Sequence, residues 1–234
     1  MNIALLGYGR MGKAIEKIAK QRAHTIVYKL DQEDTHGELS LADVAINFSV
    51  PQAAVDNIKT ALDQKIPVVC GTTGWLDHYQ EVIDYCTLQQ SGFLYASNFS
   101  IGVNLFFKLN ALAAKLMKSH QEKYFPFIKE IHHIHKLDAP SGTALSLAEG
   151  LLKESNLTEW ELEGKTKNKL NIKSIREGEI PGTHTVKYTS AVDQISLKHE
   201  ALSRDGFALG AVIASEWLAG KQGIFSMDDV LNIS

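Results

Sequence analysis

The stretch that decides the fold is Asn2-Ile3-Ala4-Leu5-Leu6-Gly7-Tyr8-Gly9-Arg10-Met11-Gly12. An apolar run of strand length ends in a G-x-G-x-x-G pattern, and the residues after it are apolar at helical spacing. In a strand–turn–helix unit, these glycines permit a tight turn and let the backbone approach a pyrophosphate, which the helix N-terminus attracts. A simple structural turn is the alternative for so short a motif. The candidate cofactor-binding residues are Gly7, Gly9, Arg10 and Met11.

The rest of the first hundred residues favours the cofactor interpretation, because strands and helices alternate there. Strands are predicted at 25–30, 44–48, 66–70 and 93–96, and helices at 51–64 and 76–90. Strands alternating with helices of this length indicate parallel βαβ units. The predicted fold class is therefore α/β, with a Rossmann-like, doubly wound parallel sheet.

Further cofactor-binding candidates follow the predicted strands. Asp31 ends the second strand about 20 residues after the motif, where a carboxylate accepts hydrogen bonds from the adenosine ribose. Asp31 alone favours NADH, because it would repel a 2′-phosphate. Arg10 and Lys29 lie close in sequence and would offset that repulsion, so NADH and NADPH both stay open. The loops after two later strands add Gly71, Thr72, Thr73, Ala96, Ser97, Asn98 and Phe99, since open α/β sheets bind ligands at strand carboxyl ends.

The pattern changes in the second half of the chain. We predict helices at 101–119, 142–153 and 207–218, strands at 127–134, 183–189 and 193–199, and a polar, lysine-rich loop with a poorly defined strand at 155–173. Period-two alternation in the last two strands is typical of antiparallel pairs. We therefore expect a dinucleotide-binding domain formed by residues 1–102 and 208–234, and an α+β substrate domain formed by 103–207.

Residues 130–143 (Glu-Ile-His-His-Ile-His-Lys-Leu-Asp-Ala-Pro-Ser-Gly-Thr) hold three of the nine histidines and a lysine within five positions. Imidazoles, a fixed positive charge and a helix start together indicate a pocket for an anion that undergoes proton transfer. Whether the chain is extended or helical here, His132 and Lys136 lie on the same side; an extended chain places His133 and His135 opposite. Stacked positive charge should lower the pKa of Lys136, which suits it to act as an acid. In the following turn, Ser141, Gly142 and Thr143 can bind a carboxylate of the ligand through their backbone N–H groups and hydroxyls.

A metal site is the alternative for this cluster. His133 and His135 are spaced to supply two zinc ligands from a strand, with His184 or His199 as a third. Lys136 argues against this, because a cation there disfavours a second positive charge, so no metal is expected. Solvation is favoured for Arg176, Lys198 and the lysines of 165–173. Residues 199–204, which include His199 and Arg204, suggest a polar network near the site or at a subunit contact, and their roles stay open.

Composition excludes several classes of protein. The 234 residues are 44% hydrophobic and 22% charged, which is ordinary for a globular protein. A net charge of -3 without a run of Lys or Arg indicates no nucleic-acid partner. Cys70 and Cys86 lack metal-ligand spacing and indicate a reducing compartment. Without a signal-peptide pattern or a membrane-length apolar run, we expect a cytoplasmic location and no membrane partner.

At this point the chain resembles the dihydrodipicolinate reductase family over nearly its whole length. The motifs that carry the resemblance lie at 9–12, 70–74, 96–100, 132–136, 138–144, 182–185, 199–204, 207–211 and 217–218. The resemblance implies a nucleotide-binding domain and a substrate domain whose sheet builds a homotetramer. It also implies that NADH or NADPH reduces a cyclic dicarboxylate, 4-hydroxy-tetrahydrodipicolinate, in the diaminopimelate–lysine pathway.

The resemblance also implies roles for individual residues. His132 would be the acid/base and Lys136 the proton donor, while His133, Gly142 and Thr143 would bind a substrate carboxylate. Asp31 would contact the adenosine ribose, and the loops at Gly71 and Ala96 would frame the nicotinamide. The chain departs from the family where its glycine loop is one residue shorter and where Ile134 replaces a common arginine.

Two other functions remain as competitors. A nucleotide-sensing regulatory protein would keep the fold without catalysis, and the intact His132 and Lys136 pair speaks against it. A dehydrogenase acting on an open-chain amino acid or semialdehyde would share the first domain but would not need the histidine cluster. Reduction of a conjugated C=C–C=N system, by contrast, needs both a hydride and a proton donor, together with clamps for the carboxylates.

Overall fold

A computed structural model describes residues 1–31, 34–164, 166, 168–203 and 205–233. In chain order these residues form β1 (Asn2–Leu6), α1 (Arg10–Gln21), β2 (Thr25–Leu30), β3 (Thr35–Gly37), β4 (Val44–Asn47), α2 (Pro51–Asp63), β5 (Val68–Cys70), α3 (Tyr79–Gln89), β6 (Gly92–Tyr95), α4 (Ile101–Met117), β7 (Phe125–His132), α5 (Gly142–Glu154), β8 (Glu159–Leu162), β9 (Lys169–Arg176), β10 (Thr183–Thr189), β11 (Gln194–Glu200), α6 (Asp205–Leu218), β12 (Gly223–Phe225) and α7 (Met227–Leu231). The chain divides into two compact units, Met1–Ile101 with Asp205–Ser234, and Gly102–Arg204. No helix in the described part of the chain is long and apolar enough to span a bilayer.

The first unit is built on a seven-stranded sheet in the order β12-β6-β5-β4-β1-β2-β3. Every neighbouring pair in it is parallel except β2 with β3. Successive side chains of β1 point to opposite faces. Ile3 and Leu5 pack with residues of α1 and α6, whereas Ala4 and Leu6 pack with residues of α2 and α3. Helices therefore cover both faces, which confirms the predicted doubly wound α/β fold.

The second unit is an α+β layer, also as predicted. Its sheet has the order β11-β10-β7-β9-β8, with β10 antiparallel to β7 and β11, and with β9 parallel to β7 and β8. Ile128, Ile172 and Val186 share one face and are fully buried against Leu147 and Leu151 of α5. Burial of one such side chain stabilises the fold by about 2 kcal/mol. By the same period-two alternation, Glu130 and His132 of β7 lie on this covered face.

Two of the sequence predictions for this unit are wrong. Residues 155–173, predicted as a loop with a poorly defined strand, contain β8 and much of β9. Alternate positions of β9 carry Leu170, Ile172, Ser174 and Arg176, and the last two are polar because they contact Glu130 on the neighbouring strand. The buried face of β9 therefore lacks the continuous apolar alternation by which a strand is predicted from sequence. The predicted strand at 127–134 also ends early, at His132, so the chain turns before Lys136.

Candidate active site

The first unit has a cleft of about 890 Å³ at the carboxyl ends of its central strands. We call it the N-terminal cleft. It is lined by the predicted residues Gly7, Gly9, Arg10, Met11, Asp31, Gly71, Thr72 and Thr73, and also by Tyr8, Leu30, Phe48, Ser49, Val50, Pro51, Ala53 and Asn57. The strands β1 and β4 are neighbours whose following helices cover opposite faces of the sheet. The cleft thus lies at the topological switch point, where doubly wound sheets bind ligands.

The glycine motif has the geometry that a bound pyrophosphate requires. Gly7 has φ +105°, and a Cβ there would lie 2.3 Å from the carbonyl oxygen of Phe48. At Gly9, by contrast, a Cβ would meet nothing within 4 Å, which leaves open space for phosphate oxygens. α1 begins at Arg10 with no side-chain cap and no acidic residue in its first turn. Its N–H groups can therefore be satisfied by an anion.

A compact ionic network lies beside this motif. Lys29 Nζ is 2.7 Å from Glu16 Oε1 and 4.5 Å from the centre of the Tyr8 ring, and Tyr8 donates a short hydrogen bond to Glu16. Burial alone raises the pKa of Glu16, but hydrogen bonds from Lys29, Tyr8 and Lys20 lower that pKa to about 2. Lys29 is thus neutralised by Glu16, and Arg10 is the cation that lines the cleft with Asp31. The residues that follow Asp31, Gln32-Glu33-Asp34, add two acids and no cation.

The other predicted cofactor loops differ in exposure. Thr72 is buried, its Oγ1 accepts the N–H of Ser49 at 2.9 Å, and its carbonyl accepts the indole N–H of Trp75. Ala96, Ser97 and Asn98 are at least partly exposed at the end of β6, whereas Phe99 is buried in the core. The Phe99 ring lies 5.6 Å from that of Phe48. Phe99 therefore supports the cleft through Phe48, and its side chain does not line the surface.

The second unit gathers its polar side chains around Glu130, a carboxylate with no solvent exposure. Its oxygens accept the N–H of Ser141 at 3.1 and 3.2 Å and the hydroxyl of Ser174 at 2.7 Å. Arg176 Nη2 lies at 3.4 Å. We call Glu130, His132, Ser141, Ser174, Arg176 and His184 the Glu130 network. Burial raises the pKa of Glu130, but hydrogen bonds from His184, Ser141 and Ser174 and the charge of His132 hold it well below its usual range.

Two buried histidines face this carboxylate. His132 Nδ1 lies 3.5 Å and His184 Nε2 3.6 Å from Glu130 Oε2, and the two rings are 5.0 Å apart at 69°. Burial and the positive charges of His184, Lys136 and Arg176 lower the pKa of His132 to about 4, although Glu130 raises it. His132 is therefore a neutral base at neutral pH. Sequence reasoning had proposed His132 but had missed Glu130 and the role of His184.

Lys136 has a carboxylate partner beside it. Its Nζ contacts both carboxylate oxygens of Asp138, at 2.7 and 2.8 Å. Burial raises the pKa of Asp138, but the hydrogen bond from Lys136 lowers it overall. The chain turns at His133, whose carbonyl accepts the N–H of Lys136, so the predicted faces of an extended or helical segment do not apply. The negative charges opposite the cluster come from Glu130 and Asp138, which lie within the same motif.

The predicted anion-binding turn starts α5. Ser141 is its N-cap, with the Oγ accepting the N–H of Ala144 at 3.2 Å and lying 3.2 Å from His184 Nε2. Gly142 is exposed and Thr143 is partly exposed at the first positions of the helix. The first N–H groups of a helix lack intrahelical partners and carry partial positive charge. This end of α5 is consequently suited to hold a carboxylate.

The remaining polar candidates have different environments. Arg176, expected to be solvated, is mostly buried; its guanidinium donates to Glu130 and to the carbonyls of Lys136 and Asp138. His133 and His135 have rings 6.0 Å apart, and His135 is exposed with Glu179 at 3.1 Å. His199 is partly buried beside the Phe106 ring, and burial lowers its pKa. Lys198 is exposed and paired with Glu200, and Arg204 lies outside the described residues.

A metal would find a different set of ligands from the predicted ones. Among the described residues, Glu130, His132 and His184 have possible ligand atoms within 4.8 Å of one another. The guanidinium of Arg176 already lies 3.4 Å from the same carboxylate. A cation there opposes a second positive charge, so we interpret these three residues as part of an ionic network.

Comparisons with known proteins agree with the two-unit organisation. Residues 1–99 match the family described as dihydrodipicolinate reductase, N-terminus, and residues 102–231 match dihydrodipicolinate reductase, C-terminus. The chain is 53% identical over 235 residues to the 4-hydroxy-tetrahydrodipicolinate reductase of Christiangramia forsetii, covering 99% of this chain and 98% of the relative. It is 34% identical to the enzyme of that name from Archaeoglobus fulgidus, over 99% of this chain and all of the relative.

A solved structure shows the same fold. Dihydrodipicolinate reductase from Paenisporosarcina sp. TG-14, solved with dipicolinate bound, aligns with a TM-score of 0.80 at 20% identity, covering 97% of each chain. At that identity the likeness concerns the fold. It extends the agreement in sequence to the arrangement of strands and helices.

The charge at Asp31 leads to a prediction about coenzyme choice. We propose that Asp31 meets the adenosine ribose. Glu16 neutralises Lys29, which leaves only one of the two cations named above, Arg10, to offset the charge of Asp31, so we expect a higher kcat/KM with NADH than with NADPH. Asp31→Asn would remove the charge that repels a 2′-phosphate, so the NADPH-to-NADH ratio of kcat/KM should rise about tenfold, equivalent to about 1.4 kcal/mol. Asp84→Asn, at an exposed position of α3, is the matched control. An unchanged ratio in Asp31→Asn would exclude this role.

The lowered pKa of His132 predicts how stability depends on pH. The folded state binds this proton with a pKa of about 4, and the unfolded chain with 6.5. Stability from the neutral imidazole is present above pH 6.5 and is lost as the pH falls toward 4. Between pH 7 and pH 5 the free energy of unfolding should fall by about 2 kcal/mol from this group. Urea unfolding should show that loss in the wild type and in the exposed control His36→Gln; an equal loss in His132→Gln would contradict the assignment.

Proposed function

The chain belongs to the dihydrodipicolinate reductase family, and we propose that it reduces 4-hydroxy-tetrahydrodipicolinate to tetrahydrodipicolinate with NADH or NADPH. We place this reaction in diaminopimelate and lysine biosynthesis. Relatives that carry the name of this activity match over their full length, at up to 53% identity among those compared. The observation in the site that supports the proposal is the buried His132 beside Lys136 and the capped start of α5.

The chemistry of the reaction fits these groups. Loss of the 4-hydroxyl as water leaves a conjugated C=C–C=N system, which accepts a hydride at one carbon and a proton at its neighbour. The bound reduced nicotinamide supplies the hydride. Lys136, a cation held by Asp138, is the proposed proton donor, and neutral His132 is the proposed acid/base that exchanges protons with the site.

Binding is proposed to use the start of α5 and the neighbouring cations. Ser141, Gly142 and Thr143 are assigned to one substrate carboxylate, because the N-terminus of a helix attracts anions. His133 is assigned to the same ligand. A dianion in this pocket would raise the proton affinity of His132, so substrate binding itself favours the acid form.

The N-terminal cleft is proposed to hold the coenzyme. The helix start after Gly9 would accept the pyrophosphate, and Asp31 would accept hydrogen bonds from the adenosine ribose. The loops of Gly71–Thr73 and Ala96–Phe99 would frame the nicotinamide. The open space beside Gly9 and the uncapped helix start are the features of this chain that fit a dinucleotide.

The enzyme is also proposed to be a cytoplasmic homotetramer. Cys70 and Cys86 are both free and buried, as in a reducing compartment. For self-association, the sheet of the second unit offers the face opposite α5. Phe125 is 63% exposed there, and Phe127 and Ile131 are partly exposed on the same face by alternation.

The proposal is tested by following NADH and NADPH oxidation while the preceding aldol-condensing enzyme generates the substrate in situ. Oxidation that requires this substrate supports the reductase. A regulatory protein would bind coenzyme without turnover, and an open-chain dehydrogenase would oxidise or reduce amino acids instead.

Removal of the proposed proton-transfer groups should lower turnover selectively. We expect Lys136→Ala and His132→Ala each to reduce kcat by about 10²- to 10⁴-fold, the usual contribution of general acid–base catalysis. The dissociation constant for NADH should stay within about twofold, because the coenzyme is assigned to the switch point of the first unit, whose residues these variants leave unchanged. Lys198→Ala, at an exposed lysine paired with Glu200, is the matched control. Near-wild-type turnover in either active-site variant would show that its assigned role is wrong.

The proposed interface gives a separate prediction. Phe127→Lys places a charge on the open face of the sheet and should convert tetramers into smaller species, measured by light scattering on a sizing column. Leu88→Lys is the control, because Leu88 is an exposed leucine of α3 with 76% exposure. A tetramer that persists in Phe127→Lys, or dissociates equally in both variants, would argue against this face.

A further inference from the structure

We propose that Glu130 is a positioning residue that orients the Ser141 turn and His132 for the dicarboxylate substrate. This inference rests on the proposed reductase function. It adds a residue that none of the proposed reaction steps uses. Glu130 is the fully buried carboxylate of β7, and the proton transfers assigned to Lys136 and His132 do not use it.

All the groups that contact Glu130 can donate hydrogen bonds or carry positive charge. Oε1 accepts from Ser174 at 2.7 Å and lies 3.4 Å from Arg176, and both oxygens accept from the Ser141 N–H. A carboxylate satisfies such a set because it is an acceptor only. An amide would turn one end into a donor that faces other donors.

The contact with Ser141 links this carboxylate to the substrate turn. Ser141 is held by its backbone N–H to Glu130, while its Oγ caps α5 and lies 3.2 Å from His184 Nε2. These contacts set the direction of the first turn of α5. The groups of Gly142 and Thr143, which follow directly, are therefore placed through the contact of Glu130 with Ser141.

Glu130 also acts on His132 through its charge. Nδ1 lies 3.5 Å from Glu130 Oε2 and has no hydrogen-bond partner among the described residues, so the carboxylate acts as an ion-pair partner that favours the protonated ring. The charged groups around this pair are His184 on β10, Arg176 on β9, and Lys136 and Asp138 on the following loop. His199 faces His184 from β11. Among them Glu130 favours the imidazolium, so neutralising it should move protonation of His132 to lower pH.

The sign of one binding measurement separates positioning from simple charge. Neutralising a buried carboxylate makes the pocket more positive, and on electrostatic grounds alone a dianion should then bind more tightly. Loss of the oriented turn has the opposite effect. We therefore measure the dissociation constant of pyridine-2,6-dicarboxylate by calorimetry for the wild type, Glu130→Gln and the control Glu159→Gln, an exposed glutamate of β8 paired with Lys169.

The expected result is at least about tenfold weaker dicarboxylate binding in Glu130→Gln, equivalent to about 1.4 kcal/mol. NADH binding should be unchanged, and the limb of the kcat/KM profile that reports His132 should move to lower pH. Glu159→Gln should match the wild type. Equal or tighter dicarboxylate binding by folded Glu130→Gln would overturn the proposal, whether or not the limb moves.

A variant that fails to fold is replaced by the double variant Glu130→Gln with Arg176→Gln. Removing both buried charges avoids an unpaired guanidinium. The double variant must also show weaker dicarboxylate binding. Its limb should move less than in the single variant, because Arg176 lowers the pKa of His132 and its removal partly offsets the loss of Glu130. Wild-type dicarboxylate binding in the double variant would equally overturn the proposal. Wild-type enzyme that lacks turnover with the cyclic substrate would instead refute the proposed function, so the two failures are distinguishable.

Discussion

A buried carboxylate is costly unless its charge is balanced and its oxygens accept hydrogen bonds, and Glu130 imposes that requirement on the second unit. The requirement is met from two strands and one helix start. Ser174 and Arg176 come from β9, His184 comes from β10, and the Ser141 N–H comes from the residue that caps α5. Satisfying one charge thereby brings the start of α5 against the sheet, beside His132.

The first unit handles charge in the opposite way. Its glycine turn and the first turn of α1 carry no acidic residue and no side-chain cap, so the positive end of the helix faces the cleft without an internal partner. The nearby acid, Glu16, is used to neutralise Lys29. The helix start in the first unit can therefore accept an anion, whereas the charges of the Glu130 network balance one another.

This difference explains what could be predicted from sequence. The glycine motif, its strand and helix, and the switch-point loops are local patterns, and the α/β fold followed from them. The Glu130 network joins residues up to 54 positions apart, from Glu130 to His184, and no periodicity relates them. One part was within reach: Ile128, Glu130 and His132 alternate on β7, which placed a glutamate on the buried face. β9 was not predicted because the polar residues that contact Glu130, Ser174 and Arg176, interrupt the alternation of apolar and polar residues along it.

The same network accounts for the division of roles between the two predicted proton-transfer residues. Burial and the charges of neighbouring groups lower the pKa of His132, and Glu130 opposes them only in part. Lys136 is instead paired with the exposed Asp138. One residue is therefore buried with a lowered pKa and the other lies in an ion pair, although they are only four positions apart in the sequence. The histidine–lysine motif alone does not show this asymmetry, because it shows neither the burial of His132 on β7 nor the pairing of Lys136 with Asp138 after the turn.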